Sequence, residues 1–111
     1  MTAREIASLV SSFGFPYAYY QFPDGTAEEP PFVCFYLSGS DDLIADNYNY
    51  SKIRSLVIEL YTDNKDYSAE ATIEAALTNA KIPFQTTETY IDSERLYMVT
   101  YNAEILFNGG E

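Results

Sequence analysis

Along Ile53–Tyr61, Leu56, Ile58 and Leu60 recur at every second position, the spacing that a strand turns to one face. After Asp63-Asn64-Lys65-Asp66 the period changes, and Ala69, Ile73, Ala76, Leu77 and Ala80 fall on one helical stripe. The pattern predicts a strand feeding a helix, with Leu56, Ile58, Leu60, Ile73 and Leu77 in the core. Asp66 or Ser68 suits the helix N-cap, and Glu70 and Glu74 suit the positive end of the dipole. The helix is expected to end near Ala80, because Pro83 cannot continue it.

The remaining elements follow in order. Thr2-Ala3-Arg4-Glu5 has the form of a capping box, and Ile6, Leu9, Val10 and Phe13 continue at helical spacing until Gly14, a candidate left-handed cap. Tyr17–Phe22 is β-prone by its aromatic content. The turn residues from Pro23 to Pro31 predict a wide hairpin, whose return strand, Phe32–Ser38, is apolar on both faces and belongs inside a sheet. A long polar loop is expected from Ser38 to Tyr50. Phe84–Ile91 reads as a polar edge strand. Leu96–Leu106 reads as the longest strand, with Tyr97, Val99, Tyr101, Ala103 and Ile105 on its buried face. From about residue 107 the tail is expected to fray. The whole chain, 1–111, reads as one α+β domain. Its order is α-β-β-β-α-β-β: a single-layer antiparallel or mixed sheet of about five strands with two helices packed on one face. The other face is left partly wet or meets a partner.

Charge narrows the function. Seventeen acidic side chains face six basic ones, a formal net charge of −11. That field repels phosphate backbones and anionic lipid, so a nucleic-acid grip is disfavoured. An acidic surface can still serve beside DNA by imitating its charge or by lining a passage through which it slides. Cys34, the single cysteine, lies in the apolar run Phe32–Leu37 and reads as a small buried hydrophobe. The absence of disulfides suits a reducing compartment. With no signal core and no apolar run near the roughly 18 residues of a membrane span, the chain reads as soluble and intracellular where it is made.

Chemistry is read by subtraction. There is no His, so acid–base work would fall to paired carboxylates, Lys or Tyr, and nucleophilic work to Ser or Cys34 with an activating partner. No such constellation stands out. Glu59 and Glu104 sit inside strands and invite an acid/base pairing, but solvent-facing strand carboxylates explain them more simply. Asp41, Asp42 and Asp46, and again Asp63, Asn64, Asp66 and Glu70, lack the spacing of a helix-loop-helix calcium site. They read as solvated loop and helix-cap residues. The expectation is no enzyme, no metal and no cofactor.

A family resemblance rests on Gly14-Phe15-Pro16 with Tyr19, Pro30-Pro31-Phe32 and Ala45-Asp46-Asn47 ahead of Tyr50. It continues through Glu59-Leu60-Tyr61-Thr62-Asp63 with Lys65-Asp66 and Glu70, and Tyr90-Ile91 with Glu94. In this order, from about Ile6 to Tyr101, the chain resembles the tail-terminator, or tail-completion and tail-to-head joining, proteins of long-tailed phages and prophages of Gram-positive bacteria. The resemblance implies a virion structural protein located in the tail or neck, made in the host cytoplasm. It implies a ring, a homo-hexamer, that caps the tail tube protein and offers the head-tail connector its docking surface. DNA would pass through without specific binding. The candidate contacts, with other subunits, tail or connector, are Asp41, Asp42, Asp46, Asn47, Tyr48 and Tyr50, because interfaces use loops held by a rigid sheet and Tyr is enriched where surfaces meet. Alternatives are an acidic DNA-mimic inhibitor and another head-tail connector or minor tail protein.

Overall fold

Thr2 opens the first helix, α1 (Ala3–Ser11), through a complete capping box: its hydroxyl accepts from the Glu5 amide at 3.2 Å, and the Glu5 carboxylate accepts from the Thr2 amide at 2.8 Å. Gly14 follows at φ +86, and a side chain there would meet no atom within 4 Å. The glycine is therefore required by backbone conformation and not by space. This computed structural model describes residues 1–23, 28–41 and 52–109.

Five strands form one sheet: β1 (Tyr17–Tyr19), β2 (Phe32–Asp41), β3 (Lys52–Thr62), β4 (Phe84–Ile91) and β5 (Leu96–Phe107), with α2 (Tyr67–Asn79) between β3 and β4. The spatial order is β1-β2-β3-β5-β4. All neighbours are antiparallel except β1 and β2, so the sheet is mixed. The expected α+β order holds, and β4 is an edge strand, as its polar sequence suggests.

The hairpin expected between Tyr17–Phe22 and Phe32–Ser38 is not formed. β1 runs parallel to β2, with Tyr17 opposite Val33 and Tyr19 opposite Phe35. Tyr20, at φ 72, ends β1 after three residues, and the sequence between Tyr19 and Phe32 has about the dozen residues that a parallel connection needs. Nor does the polar loop expected from Ser38 begin there. β2 continues through Ser38–Asp41, with a register shift against β3 and Gly39 at φ +65, the geometry of a bulge.

Alternation then fixes the two faces. Val33 and Phe35 of β2, Leu56, Ile58 and Leu60 of β3, and Val99, Tyr101, Ala103 and Ile105 of β5 form one core with Ile6, Val10 and Phe13 of α1 and Ala69, Ile73 and Leu77 of α2. Leu56, Ile58, Leu60, Ile73, Leu77 and Tyr101 are wholly excluded from water and Val99 nearly so, as the spacing predicts. Both helices cover this face. Asp66 caps α2, accepting from the Ala69 amide at 3.0 Å. The helix ends without glycine: Lys81 takes φ 61, its amide donates to the Thr78 carbonyl at 2.9 Å, and the Ile82 amide donates to the Leu77 carbonyl at 3.0 Å. This is a Schellman closure with lysine in the left-handed position.

The carboxyl end lies beside the amino end. Phe107 closes β5, the Asn108 amide donates to the Met1 carbonyl at 2.7 Å, and the Ala3 amide donates to the Gly109 carbonyl at 2.9 Å. The Met1 ammonium also donates to the Leu106 carbonyl. None of the described helices is long and apolar enough to cross a membrane.

Candidate interaction surface

The strand positions that alternate with the core residues make the opposite face of the sheet. Register places Cys34 of β2, Glu59 of β3, Thr100 of β5 and Thr87 of β4 in one row. Phe32, Tyr61, Met98 and Thr89 form the row on one side, and Tyr36, Val57, Asn102 and Gln85 the row on the other. No helix among the described residues packs here. Cys34 and Val57 are nonetheless only 5% and 4% exposed, so neighbouring side chains shield them.

Those neighbours are largely aromatic. Phe32 stacks on Tyr61 with ring centroids 4.9 Å apart, and Phe22 meets Phe32 edge-on at 5.5 Å. Tyr20 packs on Tyr36 at 5.0 Å. The segment after β1 thus folds over the outer part of this face, and two ring groups flank the Cys34–Glu59 row. Ring pairs at these separations attract beyond their buried area.

Glu59 is half-buried between them, and the Tyr61 hydroxyl donates to one of its carboxylate oxygens at 2.8 Å. Burial pushes the Cys34 thiol up to about 11, with the Glu59 charge adding to it. Burial, then the bond to Glu59, then its charge raise the Tyr61 phenol in the same direction. The thiol therefore stays protonated at neutral pH, the inert form of a cysteine. Glu59 and Glu104 share this face, but Glu104 lies opposite Ser55, so the two carboxylates are about 13 Å apart along the strands at roughly 3.3 Å per residue. They cannot share a proton.

Where β4 begins, Ser55, Gln85, Asn102 and Glu104 line the polar side of a cavity of about 370 Å³ that also touches Pro83, Phe84 and Ala103. On the helix side, Lys65 donates to Glu70 at 2.6 Å and also to Glu88, clamping α2 to the edge strand. Glu70 is thereby engaged as an ion-pair partner, and Asp66 as the cap of α2.

Of the residues singled out as contacts, Asp41 is the last residue of β2, and Asp42, Asp46, Asn47, Tyr48 and Tyr50 lie outside the described residues. The Phe32, Tyr36, Glu59 and Tyr61 group was not singled out from sequence. Its signal was the two-sided apolar character of Phe32–Leu37: the even-numbered positions serve this second face.

Scanned against known families and against curated proteins, the sequence matches none. Among solved structures the chain is similar to one from the virion of a native gene transfer agent particle, at 16% identity and a TM-score of 0.52, covering 94% of this chain and 88% of that one. The two share a fold.

Proposed function

We propose that this chain is a structural subunit of a phage-like virion, and more narrowly a tail-terminator subunit that closes the tail tube and joins it to the head connector as a ring. The observation that carries the reading is the likeness over nearly the full length of both chains to a component of a gene transfer agent virion. Fold alone does not assign a role, and the finer assignment draws on the ordered sequence resemblance from Ile6 to Tyr101. The molecule suits a ring. Its sheet ends in two unlike edges, a three-residue parallel strand β1 and an eight-residue antiparallel strand β4, and unlike side surfaces are what head-to-tail closure uses. A net charge of −11 favours a passage that DNA crosses without sticking. The same charge favours one second reading, a DNA-mimic inhibitor.

Deletion of the gene from the particle that encodes it separates the two. A terminator deletion gives filled heads beside unattached tails of irregular length in electron micrographs, and a copy tagged at Glu111 is found at the neck. Normal particles after deletion, with a purified protein that competes with DNA for a nuclease, would overturn the proposal in favour of the inhibitor.

A further inference from the structure

We propose that the open face around Glu59 docks an arginine-bearing surface of a different, basic protein. The argument is one of charge and shape on a single face. Among the described strand positions that register places on the side away from the helices, the charged residues are acidic, Asp41, Glu59 and Glu104, and none is basic. Arg54, a basic residue of β3, belongs to the other face, where its guanidinium donates to the Gly39 carbonyl at 2.6 Å and lies 5.8 Å from the Phe107 ring centre. Lys65 is held by Glu70 and Glu88. The Glu59 carboxylate therefore has a tyrosine hydroxyl on one oxygen and no cation from its own face.

What surrounds it selects the partner. The Phe32/Tyr61 and Tyr20/Tyr36 ring pairs lie on either side of the Cys34–Glu59 row, and Tyr20 is 64% exposed. A planar guanidinium can lie on such rings while pairing with the carboxylate; an ammonium gains less from the stacking. A second copy in a two-fold contact would bring Glu59 toward Glu59 between chains that each carry −11, so the complementary occupant is a more basic protein. DNA is repelled by the same face.

The proposal does not depend on the virion reading, because it is tested on the purified full chain. A blocked tetra-arginine peptide is the probe, followed by calorimetry and by the tyrosine ring signals in NMR spectra. Saturable shifts at Tyr36 and Tyr61 are expected, with binding at least about fivefold weaker in Glu59→Gln, where a cation–π and ion-pair site loses its anion. Tyr36→Leu should weaken it as well. Glu5→Gln, which removes the same charge from α1 on the far side of the sheet and keeps an acceptor for the Thr2 amide, should stay within about twofold. Thermal melts verify that each variant is folded, and Glu59→Gln decides the matter even if Tyr36→Leu is not. Equal weakening by Glu5→Gln, no shift at Tyr36 and Tyr61, or self-association that Glu59→Gln abolishes would each overturn the proposal.

Discussion

The two faces of this sheet are made from alternate residues of the same strands, yet they do different work. On the helix-covered face, β3 contributes Leu56, Ile58 and Leu60, aliphatic side chains with no contact with water. On the open face the same strand contributes Val57, Glu59 and Tyr61, of which only Val57 is buried. The covered face gains its stability from close packing that needs no polar partner. The open face keeps rings that carry hydroxyls and a carboxylate, groups that hold their value when a wet surface meets another protein. A single strand thus supplies a dry core and a wetter, ring-lined face through its two-residue period.

The largest effects should fall on the covered side. Ile73→Asp places an unpaired charge between α2 and the sheet and should leave the protein unfolded at room temperature. Leu56→Ala should cost about 2–5 kcal/mol, because a cavity beneath two docked helices cannot collapse fully. Val57→Ala, directly beside it in sequence, removes about two methyl-sized groups and should cost only about 1–2 kcal/mol, since the flanking rings can settle into the space. Urea unfolding of the two alanine variants measures the difference. Equal losses would break the comparison and mean that the open face is core.

Buried tyrosines sharpen it next. Tyr101 has no exposed surface, and its hydroxyl donates to the Glu74 carboxylate at 3.1 Å. Tyr101→Phe should therefore cost about 1–2 kcal/mol at neutral pH by leaving that carboxylate short of a donor. Burial, then the Glu74 charge, raise the Tyr101 phenol above its ordinary 10, and Tyr61 is raised likewise by burial and Glu59. The sign follows: above pH 10 the unfolded phenols release protons that the folded ones retain, so the native state binds more protons and stability falls as pH rises. The stability contributed below pH 10 should decline steadily above it in urea midpoints read between pH 9 and 11. Tyr101→Phe and Tyr61→Phe should each flatten that decline, and an unchanged slope in both would remove the phenols from the account.

These same residues show how much was legible beforehand. Period alone placed Leu56, Ile58, Leu60, Ile73, Leu77, Val99 and Tyr101 in the core, because one-sided burial forces alternation in strands and a stripe in helices. The direction of β1 was not legible. Turn-forming residues such as Pro23 mark a change of course but not whether the chain folds back or crosses over, and that was decided by Tyr20 leaving the strand after three residues. The Ser38–Asp41 extension was hidden for a related reason: polar residues and Gly39 look like a loop, while pairing with β3 supplies strand hydrogen bonds that composition does not encode. Glu59 was read as a solvated strand carboxylate. Tyr61 is its neighbour two residues along β3, but the other rings come from β2 and from the segment after β1, brought together only by sheet order.

The smallest effect tests how the covered side is closed. α2 ends with Lys81 at φ 61, a conformation that costs an L-residue about 1–2 kcal/mol, and the Lys81 and Ile82 amides use it to satisfy the Thr78 and Leu77 carbonyls. Lys81→Gly relieves that cost but adds about 0.5–1 kcal/mol of unfolded-state entropy, so a net gain of roughly 0.5 kcal/mol is expected, visible as a small rise in melting temperature. Lys81→Ala keeps the backbone cost and loses only the charge at the negative end of the helix, so it should give no gain. A rise in both variants would show that relief of the left-handed backbone is not the source of the gain; loss of a cation from this acidic chain cannot be the source either. A rise in glycine alone assigns it to the left-handed turn that lays Ile82 back against the core and fixes where α2 stops covering the sheet.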